Sequence, residues 1–273
     1  SYVPSRVMDN DDLSKIVDTN DEWIRERTGI GKRHIIDEET TSYMAGQAAL
    51  RAIEQSGIDP EEIDLILVGT SSSETVFPCA ACEVQRMIGA KRAVGYDLNA
   101  ACTGFVLGFN TAQAYISSGF CRTVMVIGAD SMSNMVDWKD RSTCILFGDG
   151  AGAVILRAEE GAPVYMAAHS DGVKGPALTG LSRHRKDWEK ELEPGAVKES
   201  YIHMDGQGVF KFAVRKVPEI IEEVLEEAGN SLDDIDYFVL HQANRRIIEA
   251  VAKRLKTDIS KFPIDLEEYA NTS

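Results

Sequence analysis

A thiol at the junction of a strand and a helix is placed for covalent chemistry, and Cys102 has that place. It lies in YDLNAACTGFVLGFNTAQAYISSG, residues 96–119, where an apolar strand-like run passes into a helix-like one. At a helix start the macrodipole and unpaired N–H groups favour a thiolate. Gly104 and Gly108 permit close backbone approach. This is the strand–turn–helix logic of a nucleophile elbow, without its G-x-S-x-G sequence. By context alone the position suits a small core thiol equally well. A second candidate, His241, ends the strand-like DYFVL and opens HQANRRI. Of the five histidines it alone falls at the carboxyl end of a clear strand pattern, where open α/β sheets keep their sites. In isolation, a hydrogen-bonded loop histidine is the commoner reading. His34, His169, His184 and His203 stand in polar surroundings without ligand spacing, and no H-E-x-x-H occurs, so no metal is expected.

The third candidate comes from an internal echo. SGIDPEEIDLILVGTSS begins at Ser56 and AGNSLDDIDYFVLHQAN at Ala228, an offset of 172 residues. Each has a helix before it, then a Gly stop, an acidic pair, Ile-Asp and an apolar strand. Similarity at so long an interval suggests a duplicated half. The offset carries Asn99 of DLNAAC onto Asn271 of EYANTS, three places before the counterpart of Cys102. Pseudo-symmetry then points Asn271 into the same cleft, and Cys, His and Asn together make a set for covalent catalysis. The offset also leaves the second half without counterparts for Cys102 onward. A native chain longer by roughly 50 residues is therefore expected.

The elements that must hold these groups alternate. Residues 41–56 read as a helix with Gly57 past its end, IDLILVGTSS as a buried strand, and the stretch holding Cys102 as a strand and a helix closed by Gly119. TVMVIGAD and AGAVILRAE are further buried strands; an irregular stretch over 161–201 and a long helix over 209–228 follow. Alternating β and α implies a mostly parallel sheet covered by helices. Residues 1–157 are expected to form a first half with the cysteine, and residues 158–273 a second half, truncated, with the histidine and asparagine.

Composition narrows the function classes. At 273 residues the chain can bury a large core. A net charge of −15 opposes nucleic-acid binding, so an anionic partner needs a local basic patch. No apolar run approaches the ~20 residues that span a bilayer, and no signal-peptide pattern opens the chain. Five cysteines, an odd number, argue against a disulfide framework and for a reducing, cytoplasmic setting. Cys79 and Cys82 match C-x-x-C, but no second pair completes a zinc site, and buried thiols are expected there. FGDGAGAVIL leads into a strand rather than from a strand into a helix, and TGIGKR lacks P-loop spacing; both read as tight backbone packing. RRIIEAVAKRLK is amphipathic, with Ile248, Val251, Ala252 and Leu255 inward. Its basic face suits solvent or an acidic partner.

DTNDEWIRERTGI, AACTGF, FGDGAGA, HQANRRI and NTS, in this order, closely resemble the ketoacyl-acyl carrier protein synthase III enzymes of the thiolase-like superfamily. The resemblance runs from Tyr2 to Ser273, with only the segment 175–198 nondescript. It implies an α/β fold of two duplicated halves in five layers, α/β/α/β/α. It implies that Cys102 accepts an acyl group from acyl-CoA. His241 and Asn271 then assist decarboxylation of malonyl-acyl carrier protein and stabilise the enolate oxygen. The carbanion attacks the thioester, giving 3-ketoacyl-carrier protein and initiating fatty acid synthesis. Trp23, Arg27 and Arg141 are implied at the CoA entrance, with Thr19 and Asn244 along CoA or its pantetheine arm. Phe77 is implied in the acyl pocket of a partner subunit in a homodimer, and Arg246, Lys253 and Arg254 on the surface that meets the acidic carrier protein. No resident cofactor is implied, since acyl-CoA and malonyl-carrier protein are substrates. The family usually has Gly where Ala270 stands, and it continues after NTS through a helix, strands and a Gly-rich oxyanion loop.

Three rivals differ in class. A papain-like hydrolase suits the order Cys, His, Asn, with 139 residues from Cys102 to His241, but the C-G-[SA]-C-[WY] signature is missing. A non-catalytic dimerising homologue would not need the intact trio. A sibling condensing enzyme of secondary metabolism, using another primer, would keep every motif above.

Overall fold

The computed structural model describes residues 1–161, 163–180 and 201–273. The irregular stretch expected over 161–201 falls in part outside these residues, as does His184. An antiparallel pair opens the chain, β1 (Arg6–Asp9) and β2 (Lys32–Ile35), with α1 (Asn10–Ser14) and α2 (Asp21–Thr28) between them. Then follow α3 (Thr41–Ser56), β3 (Leu65–Gly69), α4 (Ala80–Ile88), β4 (Val94–Leu98), α5 (Gly104–Ser117), β5 (Thr123–Ser131), α6 (Arg141–Cys144) and β6 (Asp149–Arg157). Further along lie β7 (Leu178–Thr179), β8 (His203–Met204), α7 (Gly206–Ala228), α8 (Arg245–Leu255) and α9 (Leu266–Tyr269).

The main sheet has the order β4-β3-β5-β6. β3 is parallel to both neighbours, and β6 returns antiparallel along all of β5. β3 is buried throughout, as its unbroken apolar sequence requires when helices cover both faces. α3 and α4 cover one face through Met44, Ala48 and Val84. α5 covers the other, where Ala112 meets Leu67 and Val126. Fully burying each such Leu, Val or Met contributes roughly 1.5–3 kcal/mol. The small residues of α5 let it come close: a Cβ on Gly69 would stand 2.5 Å from the backbone carbon of Gly104. That contact presses the end of β3 onto the turn carrying Cys102.

The echo is visible in local geometry. α3 stops at Gly57 (φ 68°) and a 3-10 turn over Pro60–Glu62 follows, closed by a capping box from Asp59. α7 stops at Gly229 (φ 68°) and a 3-10 turn over Leu232–Asp234 follows, closed by a capping box from Ser231. The match holds residue for residue at the 172 offset. It ends at the strand. The first copy pairs on both sides as β3, whereas the segment 237–240 forms no ladder among the described residues. Its Phe238 N–H donates to the Lys261 carbonyl at 2.8 Å. Apolar alternation alone does not make a strand; lateral partners do. His241 therefore follows an extended segment rather than a strand. α7 also starts three residues earlier than its pattern suggested, where Asp205 accepts the Gly208 N–H.

Candidate active site

Cys102 lies in a 3-10 turn, Ala101–Thr103, that runs directly into α5, two residues before its first residue. Ala101 has φ 46°, an uncommon conformation for a residue with a Cβ, held at the mouth of the site. Cys102 lines a cavity of about 630 Å³ with Asp130, Gln242, Ala270, Thr272 and Ser273. The Ser273 hydroxyl lies 3.7 Å from its sulfur. The expected thiolate bias is reversed on balance. Burial pushes the thiol pKa up and the charge of Asp130 adds to this, while the Ser273 hydrogen bond opposes it. A 3-10 turn does not align peptide dipoles on the sulfur as a continuous helix would, and desolvation outweighs what remains.

Asn271 is buried and fixed on both sides by backbone. Its N–H donates to the Leu146 carbonyl at 3.0 Å, and its carbonyl accepts from Gly148 N at 3.1 Å. Its side-chain Oδ1 accepts the Ser273 N–H at 2.9 Å, which leaves the Nδ2 group to point elsewhere. The glycine run FGDGAGA packs the site, as its sequence context suggested. A Cβ on Gly148 would meet the Tyr269 carbonyl oxygen at 2.7 Å, so only glycine lets the segment before Asn271 lie this close. Asp149 anchors the run from behind, accepting from Ile36 N and from Ser133 through both N–H and hydroxyl.

His241 is held through its neighbour. Gln242 donates to the carbonyls of Leu240 and Pro263, and its Oε1 accepts the Asp265 N–H. This ties the histidine segment to the loop that leads through α9 to Asn271. The protein packed against the imidazole pushes its pKa down, to about 4, although the residue is exposed to solvent. Water at that face makes the displacement smaller than full burial would give. The direction leaves the ring neutral at neutral pH. No hydrogen bond joins His241 to Cys102 or Asn271 among the described residues; the three meet through their neighbours around one cavity.

The residues assigned to CoA gather around Trp23. The guanidinium carbons of Arg27 and Arg141 stand 4.7 and 4.9 Å from its ring centroid. Arg141 also donates to the Asp18 carbonyl at 2.7 Å, drawing in the loop that holds Thr19. The Thr19 hydroxyl is buried without a hydrogen-bond partner among the described residues. Asn244 caps α8, its Oδ1 accepting from Arg246 N at 2.9 Å. Phe77 is 85% exposed and Val76 64%. On α8, Ile248, Val251, Ala252 and Leu255 face inward as expected, joined by Ile247, and Arg246, Lys253 and Arg254 are exposed. Cys79 and Cys82, expected buried, are half-buried and exposed respectively. They stand at the start of α4, where both sulfurs reach the Gly95 carbonyl of β4 at 3.8–3.9 Å at the open edge of the sheet.

Two residues of the site escaped the sequence reading. Asp130, at the end of β5, is buried beside Cys102 with its oxygen Oδ1 accepting from Thr70 Oγ1, Ser71 N and Ser72 Oγ at 2.8–3.1 Å. A lone acid closing an apolar strand was the available signal. Ser273 had none beyond its place two residues after Asn271.

Comparison with known proteins agrees with this architecture. The model of 3-oxoacyl-[acyl-carrier-protein] synthase III matches residues 96–172, and that of its C-terminal part matches 225–273. The β-ketoacyl-[acyl-carrier-protein] synthase III of Clostridium acetobutylicum is 49% identical, over all of this chain and 84% of its own. The crystal structure of the Aquifex aeolicus 3-oxoacyl-[acyl-carrier-protein] synthase III superposes with a TM-score of 0.89 at 41% identity, over 100% of this chain and 84% of that one. The priming β-ketosynthase of the R1128 polyketide pathway superposes at 0.92 with 35% identity, over 99% and 81%. The fold is the thiolase-like α/β fold of these enzymes. No helix among the described residues is long and apolar enough to cross a membrane. With the cysteine turn, the histidine segment and the asparagine segment gathered at one cavity, the chain belongs to the β-ketoacyl-[acyl-carrier-protein] synthase III family of condensing acyltransferases.

Proposed function

We propose that this protein joins a short acyl-CoA primer to malonyl-acyl carrier protein, releasing CO2 and forming 3-ketoacyl-acyl carrier protein at the start of fatty acid synthesis. The observation that carries the reading is Cys102, whose thiol faces a cavity lined also by Gln242 and Thr272, the neighbours of His241 and Asn271. The Cys102 sulfur attacks the primer thioester and keeps the acyl group. His241 and Asn271 then donate to the thioester oxygen of the malonyl group as it loses CO2. A neutral imidazole suits this step, because it donates one N–H without placing a cation that would hold the malonyl carboxylate. Asn271 suits it because its Oδ1 accepts the Ser273 N–H and its amide hydrogens donate to no group among the described residues.

Trp23, Arg27 and Arg141 form the CoA entrance in this reading, with Thr19 and Asn244 beyond them. An indole between two guanidiniums offers a face for a flat base and charge for phosphate. Phe77 joins two copies into a homodimer in the cytoplasm. No resident cofactor takes part. Incubation with short straight and branched acyl-CoAs, followed by peptide mass mapping, tests the assignment. An acyl adduct is expected on Cys102. An adduct elsewhere, or none with any primer, would refute it.

In this reading the carrier protein docks on α8, where Arg246, Lys253 and Arg254 make an exposed basic face on an acidic protein. Reversing Arg246 and Lys253 to Glu should raise KM for malonyl-carrier protein by about tenfold or more, each rim charge contributing on the order of 1 kcal/mol. Acyl transfer from CoA should be unchanged, and the salt dependence of condensation should flatten. Equal loss in both half-reactions would reject the surface.

A further inference from the structure

The C-x-x-C pair Cys79 and Cys82 has no part in the condensation chemistry, yet the fold brings its two sulfurs together. Cys79 Sγ donates to Cys82 Sγ at 3.5 Å, and among the described residues no other cysteine hydrogen-bonds to a sulfur. The local backbone is the cause. Residues three apart inside a helix hold their Cβ atoms about 5–6 Å from one another, wider than the Cβ separation of about 3.8 Å that a disulfide needs. Cys79 is not inside the helix. It is the N-cap of α4, with φ −76° and ψ 159°, while its carbonyl already accepts the Cys82 N–H at 3.0 Å. The extended cap takes its side chain off the helical course and onto Cys82.

Both sulfurs also reach the Gly95 carbonyl of β4, at 3.9 and 3.8 Å, at the open edge of the main sheet. Solvent reaches the pair, since Cys82 is exposed and Cys79 half-buried. The Asp97 carboxylate accepts the Ala80 and Ala81 N–H groups at 2.9 and 2.8 Å, which pins the start of α4 to β4 independently of the sulfurs. Two thiols are too few for zinc, which takes four ligands, and among the described residues no group of three or more Cys, His, Asp and Glu could hold a metal ion. Two adjacent, accessible thiols suit a two-electron exchange instead.

We infer that Cys79 and Cys82 form a thiol–disulfide exchange site for disulfides of small thiols, separate from the acylation site at Cys102. Cys82, the more exposed sulfur, attacks as thiolate on one sulfur of the small disulfide. That S–S bond breaks, and the departing thiolate takes a proton. Cys79 then gives its proton to solvent, and its sulfur attacks Cys82 Sγ, which breaks the mixed disulfide and releases the second small thiol. Two protein thiols are oxidised to one disulfide, one small disulfide is reduced to two thiols, and the protons lost by the protein balance those gained by the released thiols. The sulfurs need only close from 3.5 Å to about 2.05 Å. The neighbouring Cys79, desolvation and the carboxylates of Asp97 and Glu83 push the Cys82 pKa up. The open pair therefore lacks the thiolate stabilisation that makes some disulfides strongly oxidising, and the closed form resists reduction accordingly.

The inference does not depend on the proposed function, and its test reads these thiols alone. The full chain, reduced and freed of reductant, is equilibrated with mixtures of reduced and oxidised glutathione, quenched in acid, cut with trypsin and mapped by mass without reduction. Cys79 and Cys82 fall in the tryptic peptide 52–86, which holds no other cysteine. That peptide should lose two hydrogen atoms and carry no glutathione, and dithiothreitol should restore it. Diluting both forms of glutathione tenfold at constant ratio should raise the ratio of closed to open pair about tenfold, because each closure releases two thiols for one disulfide consumed. In Cys79→Ser the peptide should stop at a glutathione adduct on Cys82, in a proportion that dilution at constant ratio leaves unchanged. Cys82→Ser gives the same readout at Cys79 should the first variant fold poorly. A parent peptide that keeps glutathione, that is joined to the peptide of a second copy, or that is unchanged in fully oxidised glutathione overturns the site. Closure should be the same in Cys102→Ala; a closed fraction that falls in that variant overturns the separation from the acylation site. Failure of acyl-CoA to label Cys102 while the pair still closes counts against the proposed function alone.

Discussion

Cys102→Ala should lower condensation by at least ~10⁴-fold, the order by which removal of a covalent nucleophile slows an enzyme. It should leave decarboxylation of malonyl-carrier protein measurable, since in the proposed scheme that step needs only the oxyanion donors. The structure supports a clean separation. The Cys102 side chain is bound through Ser273 and faces a cavity, so its truncation removes no backbone support. Asn271 is fixed by backbone pairing to Leu146 and Gly148, independent of the sulfur. Acyl transfer and decarboxylation are measured separately, by adduct mass and by CO2 release. Parallel loss of both, with folding intact by circular dichroism, would show that the cysteine is not confined to acyl storage.

The converse is expected at the other end of the cavity. His241→Ala and Asn271→Ala should each slow decarboxylation by ~10²–10³, the usual effect of losing one donor to a developing oxyanion. Both variants should still form the acyl adduct on Cys102. The double variant should lose less than the product of the two, because donors to one oxygen act as a unit. A pH test accompanies this. Burial displaces the His241 pKa downward from its ordinary 6.5. A depressed pKa means that the ring stays neutral as pH falls past 6.5 and gains its proton only well below. The decarboxylation rate should therefore hold level from pH 8 to 6. The same displacement makes folding stability rise with pH across the window between the folded and unfolded pKa values, where the unfolded chain binds more protons. A rate that falls with an apparent pKa near 6.5 would show that the imidazole is solvated like a free histidine.

What the sequence determined by itself was local or compositional. The ends of α3 were legible because Thr40 caps its first turn and Gly57 adopts the left-handed conformation that stops it. β3 was legible because an unbroken apolar run of strand length has few other homes. The duplication was legible because the two copies share a Gly stop, an acidic pair and Ile-Asp before an apolar run, and the structure adds a matching 3-10 turn and capping box. The motifs around Cys102, His241 and Asn271 carried the family, since each is continuous in the chain. Lateral and three-dimensional relations were decided only in the tertiary structure. DYFVL has strand chemistry, yet its backbone pairing depends on what lies beside it, and there it makes one hydrogen bond to Lys261 rather than a ladder. Cys102 has the position of an activated thiol, yet the protein packed around it raises its pKa, because desolvation depends on every neighbour and not on the residues before and after. Asp130 and Ser273, distant in sequence, become partners of one sulfur only when β5 and the end of the chain meet at the same cavity. Capping and patterning act within a few residues and can be read along the chain; pairing and burial are properties of surfaces that exist only after the chain has closed on itself.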